Sequence, residues 1–100
     1  MIRFTAFILA LGLAFGPAQA MDSSAGPLTV TRMADRLDEP WSLGFLPEGG
    51  VLITERGGRL LRVDETGRQA IKGVPKVATR GQGGLLDVLV PRDFAQSRQL

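Results

Sequence analysis

Apolar and polar positions alternate through most of the chain after residue 27, in short stretches separated by turn residues. Leu28, Val30 and Arg32, with Thr29 and Thr31 between them, predict a first strand. Trp41, Leu43 and Phe45 fall on one side of the next, an alternation that predicts core packing for them. Val51 to Glu55 reads as a further strand, then Arg59 to Val63, with Leu61 and Val63 facing opposite to Leu60 and Arg62. Arg68 to Lys72 predicts a short strand at an edge. Pro47-Glu48-Gly49-Gly50, Gly57-Gly58 and Asp64-Glu65-Thr66-Gly67 punctuate the series. Strands of about five residues with connections of about four have the spacing of a β-meander. The stretch after residue 20 shows no convincing helical period.

The pattern then begins again. Pro91 follows the apolar stretch Leu85 to Val90 as Pro47 follows its own strand, an offset of 44 residues (91 − 47). Four short strands per unit at a period of ~40–50 residues is the pattern of a β-propeller blade. The predicted fold class is therefore all-β, with residues 28–100 holding the first blade and the start of the second. Asp38-Glu39-Pro40-Trp41 and Gly81-Gln82-Gly83-Gly84 each precede the first strand of a unit. Such strands line a propeller's channel, so the two loops are predicted to open onto the same mouth. A propeller ring closes with ~4–8 blades, and the chain is accordingly expected to be the N-terminal part of a longer protein.

Ahead of the repeat, residues 1–20 read as a secretory signal peptide. Arg3 supplies a positive start, Phe4 to Phe15 is an apolar or small run, and Ala18-Gln19-Ala20 is an A-x-A cleavage site. The run is shorter than the roughly 20 residues a bilayer requires. Cleavage after Ala20 would deliver a secreted or periplasmic protein with no membrane span. Residues 21–27, rich in Ser, Ala, Gly and Pro, are expected to be a flexible leader.

Composition narrows the chemistry. Of 100 residues, twelve are basic and ten acidic, and the basic ones are scattered, which argues against a nucleic-acid partner. The chain contains no Cys and no His. It therefore has no disulfide, no thiolate nucleophile and none of the commonest general base.

The glycine stretch is the candidate for ligand contact. Gly81, Gly83 and Gly84 allow a close approach to the backbone, and Gln82 offers one acceptor and two donors among them. A dinucleotide loop is disfavoured because Leu86 breaks G-x-G-x-x-G, and no Gly-Lys-Ser/Thr follows to make a phosphate loop. Asp38 and Glu39, adjacent on an extended segment, point apart and predict a solvated loop. Asp87 is one carboxylate, far short of the 6–8 oxygens of a calcium site, and predicts a structural role. Arg56, Arg59 and Arg62 predict a solvated face.

Six segments in order carry a resemblance: Leu37 to Leu43, Phe45 to Gly49, Leu52 to Arg56, Gly58 to Leu60, Gly73 to Val77 and Gly81 to Val88. Together they resemble the start of the soluble PQQ-dependent aldose sugar dehydrogenases, the glucose/sorbosone dehydrogenase family, across residues 28–96. The resemblance implies a six-bladed β-propeller in the periplasm that holds pyrroloquinoline quinone and calcium. Its implied activity is oxidation of an aldose at C1 to a lactone, with electrons passed on to an acceptor. It implies that Gln82 lies near quinone and sugar, with Gly81, Gly83 and Gly84 supporting it. The family's histidine base, quinone-binding arginines and calcium ligands lie in later blades, so no catalytic or metal residue is assigned in this chain. The chain alone is expected to be inactive. Two other readings of the same propeller stay open: a non-catalytic binding module, and a lactonase using metal-bound water.

Overall fold

The computed structural model describes residues 18–100. The charged start and apolar run of the predicted signal peptide lie outside the described residues. The chain divides into two compact units, Met1–Arg32 and Met33–Leu100.

In the first unit, β1 (Gln19–Ser23) pairs antiparallel with β2 (Gly26–Val30), from Gln19 opposite Val30 to Ser23 opposite Gly26. The Ser23 hydroxyl donates to the Gly26 carbonyl at 2.6 Å and accepts from the Ala25 amide at 3.2 Å. Gly26 has φ 110°, a value that glycine adopts readily and that closes the two-residue turn. Residues 21–27, expected to be a flexible leader, thus lie in a hairpin here. The Ser and Gly content that suggested looseness is turn chemistry. The predicted strand from Leu28 also belongs to this hairpin and not to the meander.

The second unit is built on a four-stranded antiparallel sheet in the order β3 (Pro40–Phe45), β4 (Val51–Glu55), β5 (Leu60–Asp64), β6 (Gly67–Ala70). Every neighbour in space is the neighbour in sequence, as a meander requires, and β6 is short and at an edge as predicted. The turns follow their residues. Between β3 and β4, the Gly49 amide donates to the Leu46 carbonyl, with Gly49 and Gly50 at φ 94° and 92°. Between β5 and β6, the Asp64 carboxylate accepts from both the amide and the hydroxyl of Thr66.

β4 is buried along its whole length, which accounts for the unbroken apolar run of Val51 to Ile53. Its two faces serve two cores. Val51 and Ile53 pack with Leu61 and Val63, under Ala34 and Leu37. Leu52 packs with Leu46, Leu60 and Phe94, and Val74, Leu85, Val88 and Val90 close over that cluster.

Leu43 and Phe45 share a side of β3, and the register against β4 shifts between Pro40 and Leu43, across Trp41. Leu43, Phe45 and Trp41 are 59%, 73% and 57% exposed, and the core packing predicted for them is not found. The cause is cover. Ala34 and Leu37 are the side chains packed over that face, and their cluster takes in β4 and β5 only. The opposite side of β3 is the buried one. A Cβ built on Gly44 would meet Val90 at 3.0 Å and Val88 at 3.3 Å, so the missing side chain admits those valines.

Leu85 to Val90, predicted as a strand, joins no ladder among the described residues. Its period-two alternation persists, with Val88 and Val90 half-buried and Asp87 and Leu89 exposed. The chain then turns, the Phe94 amide donating to the Pro91 carbonyl, and forms a single helical turn, α1 (Phe94–Ser97). No helix was predicted; four residues are too few to carry a period. Phe94 enters the Leu46–Leu52–Leu60 cluster, and Arg98 stacks its guanidinium 4.5 Å from the Phe94 ring centroid. Arg98 also bonds Glu48 at 3.1 Å, which ties α1 to the turn after β3.

Candidate functional site at the Gln82 loop

The C-terminal end of β4 is where the two predicted loops meet. Glu55 and Arg56 occupy it, and each reaches to one or both loops. The Glu55 carboxylate is 1% exposed; it accepts from the Asp38 amide at 2.6 Å and from the Arg59 guanidinium. Burial alone pushes the Glu55 carboxyl up, but the Arg59 hydrogen bond and the Asp38 amide outweigh it and hold it below the usual value. The carboxylate therefore stays ionised and anchors the segment leading to Trp41.

Arg56 holds the other loop. Its Nε donates to the Gly83 carbonyl at 3.0 Å, and its Nη2 to the carbonyls of Thr79 at 2.9 Å and Gly81 at 2.5 Å. Its Nη1 donates to the Glu39 carboxylate at 3.0 Å. The backbone repeats the pattern: the Arg56 amide donates to the Glu39 carbonyl, and the Leu85 amide donates to the Arg56 carbonyl. Loops 38–41 and 79–84 thus converge on one residue.

The glycines act through conformation. Gly81 has φ 59°, a left-handed value. A Cβ on Gly83 would lie 2.6 Å from the Ala78 carbonyl oxygen, and one on Gly84 would lie 2.5 Å from the Arg56 Cγ and 2.6 Å from its carbonyl oxygen. Real Cβ atoms do not tolerate such distances, so glycine alone lets the loop lie against Arg56. Gln82 sits at the exposed crest of this loop, and no hydrogen bond to another described residue engages its side chain. Its amide offers one acceptor and two donors.

The other sequence candidates resolve simply. Asp38 and Glu39 are exposed, as expected of a solvated loop, although Glu39 also pairs with Arg56. Asp87 accepts from the Val88 amide at 2.8 Å, a local structural bond. Arg59 and Arg62 pair with Glu55 and Asp64. Arg56, expected on a solvated face, is 22% exposed and is the hub of the site. The sequence carried one sign of this, an arginine with five donors ending a buried strand in a chain whose glycine loop leaves carbonyls unshielded. Among the described residues, no group of three or more His, Cys, Asp or Glu is arranged to hold a metal ion. No helix among them is long and apolar enough to cross a membrane. An open, mainly apolar groove of about 470 Å³ lies beside Leu60, Ile71 and Val74, and Gln82 does not line it.

A four-stranded antiparallel meander is the unit from which a β-propeller blade is built. The chain belongs to the glucose/sorbosone dehydrogenase family, which matches it over residues 37–100, and the sheet of β3 to β6 is part of that family's β-propeller. It is 45% identical over 87 residues to the aldose sugar dehydrogenase YliI of Escherichia coli (strain K12), covering 83% of this chain and 23% of that protein. It is 42% identical over 74 residues to the uncharacterized protein slr1608 of Synechocystis sp. (strain ATCC 27184 / PCC 6803 / Kazusa), covering 64% of this chain and 18% of that protein. The chain thus spans less than a quarter of the length of either relative. No solved structure matches it.

Proposed function

We propose that this chain forms the first part of an exported, PQQ-dependent dehydrogenase that oxidises aldose sugars at C1 to lactones. The observation that carries the reading is the Gln82 amide, exposed on a loop fixed by Arg56, in a chain of this family. The similarity to an aldose sugar dehydrogenase supports the substrate class.

An uncharged amide suits an oxygen-rich ligand. It can donate to a quinone carbonyl or to a sugar hydroxyl and accept from the latter, without the desolvation cost that a charged group meets in a closed site. The quinone, when bound, supplies a two-electron acceptor for the sugar's C1 hydride. The part of this chain is to orient: Gln82 holds an oxygen, and Gly83 and Gly84 let its loop lie against Ala78 and Arg56. The proton of the C1 hydroxyl requires a base. With no His in the chain and no acidic pair at the loop, that base and the calcium ligands are assigned to residues outside these 100. The 100-residue chain alone is accordingly proposed to have no turnover, and an electron acceptor is required to regenerate the quinone.

The test is a dye-linked assay with added quinone, calcium and aldose. The full-length protein should reduce the dye in an aldose-dependent way, and the purified 100-residue chain should not. A full-length protein that bound both additions yet reduced no dye with any aldose would overturn the assignment. Turnover by the short chain would overturn only the placement of the base. Export is checked separately by finding a mature protein in the periplasm that begins at Met21.

A further inference from the structure

Arg56 touches no predicted ligand, yet three of its five side-chain N–H directions are spent on the backbone around the one residue proposed to do so, and a fourth goes to Glu39. The carbonyls it binds, of Thr79, Gly81 and Gly83, bracket Gln82 on both sides in the sequence. The contacts do not belong to a side chain that happens to lie nearby. The loop is shaped to admit them, because Gly84 has no Cβ to strike Arg56 and the Leu85 amide returns to the Arg56 carbonyl at 2.9 Å. The Arg56 side chain is 22% exposed, and its bond to the Gly83 carbonyl is partly buried. On its other side it fixes Glu39, whose backbone is in the left-handed region at φ 47°. For a non-glycine residue that conformation is strained and persists only where the surroundings impose it. Arg56 imposes it twice, by the amide bond to the Glu39 carbonyl and by the ion pair with its carboxylate.

We infer that Arg56 is a positioning residue: its guanidinium sets the height and direction of the Gln82 loop and holds it in register with the Glu39 loop. Lysine cannot substitute. The acceptors lie in several directions around a planar fork, and an ammonium on a flexible stem cannot meet them together. The inference rests on the proposed function for the meaning of Gln82, though not for the geometry of the loop.

The experiment uses the full-length protein with Arg56→Lys, Gln82→Ala and the double variant, and Leu52→Val as a control for lost stability. Two readouts are taken. The first is amide hydrogen exchange of residues 79–85 in the protein without quinone. Arg56→Lys should speed it markedly and Leu52→Val should not. The second is kcat/KM for the aldose. Arg56→Lys should lower it on the order of 10- to 100-fold, the scale of a misplaced orienting group. The double variant should be no worse than Gln82→Ala by more than about twofold, because Arg56 acts through Gln82. Losses that multiply, or unchanged exchange in the loop, would overturn the inference. If Gln82→Ala leaves aldose turnover intact, the functional reading falls, and the exchange data still decide whether Arg56 holds the loop. Should Arg56→Lys fail to fold, Glu39→Gln takes its place: it keeps the three carbonyl bonds, so loop exchange and kcat/KM should stay within about threefold of the parent protein. A loss matching that of Gln82→Ala would reject the three carbonyls as the anchor.

Discussion

The hydroxyl of Thr54 donates to the carbonyl of Leu86 at 2.7 Å, joining residues 32 apart in the sequence. The same oxygen accepts from the Ser42 amide at 3.0 Å. One buried side chain, 1% exposed, thus stitches β3 and the 85–90 segment to β4. Thr54→Val keeps the shape and removes both bonds, leaving the half-buried Ser42 amide and Leu86 carbonyl without this partner. It should cost about 1–3 kcal/mol, and Thr54→Ser should recover most of that. Urea unfolding of the full-length protein measures both.

Phe94 anchors the only helical turn among the described residues and fills the Leu46–Leu52–Leu60 cluster. Phe94→Ala should cost about 3–5 kcal/mol by leaving a cavity that the neighbouring β4 and β5 cannot collapse to fill. Arg98→Ala, which removes only the exposed stacking and the Glu48 pair, should cost under about 1 kcal/mol. Equal losses in thermal unfolding would show that α1 is held by its surface contacts.

Gly84→Ala should be strongly destabilising, because its Cβ would stand 2.6 Å from the Arg56 carbonyl oxygen, and backbone cannot swing away as a side chain can. A cost of about 1–3 kcal/mol or more is expected. Gly57→Ala is the comparison: nothing lies within 4 Å of its Cβ position and its φ is not positive, so it should be near neutral. Melting temperatures of the two variants check the contrast.

Acid should loosen the Asp38 segment. The folded Glu55 carboxyl lies below its ordinary value, so its contribution is full above that value, about 4.3, and fades as pH falls through the lower folded value. Glu55→Gln should flatten that part of the stability–pH curve and lower stability at pH 7 by about 1.5–3 kcal/mol, the worth of hydrogen bonds to a charged group. A curve of unchanged shape would mean that Glu55 does not ionise differently on folding.

Cleavage after Ala20, where it occurs, cuts through β1. It removes the pairs Gln19–Val30 and Ala20–Thr29 and leaves three of the five. A two-stranded hairpin is marginal in water, so residues 21–26 of a chain cleaved there should exchange their amides freely. Protection of the Asp22, Ser23 or Gly26 amides after such cleavage would contradict this.

The blade was legible in the sequence because its information is local. Val51 to Glu55 and Leu60 to Val63 carry their apolar, β-branched runs within five residues, and each turn holds its own Gly, Asp or Pro. What escaped depends on distance or on number. Exposure of Leu43 and Phe45 turns on what covers β3, which no alternation records. Leu85 to Val90 has the alternation of a strand and no partner strand among the described residues. Arg56 escaped because its acceptors are backbone carbonyls 23 to 27 residues onward, and a carbonyl has no letter in a sequence. The glycines of the loop were read as conformational freedom, and their spacing against Arg56 emerged only in three dimensions.

Trp41 is the chain's single tryptophan, and there is no tyrosine. Its indole is 57% exposed on β3, two residues after Glu39, which Arg56 holds. Intrinsic fluorescence of these 100 residues excited at the red edge of the aromatic band is therefore a one-site optical signal. A blue shift on adding the remainder of the protein would time the wetting and drying of this strand's outer side, with no label attached.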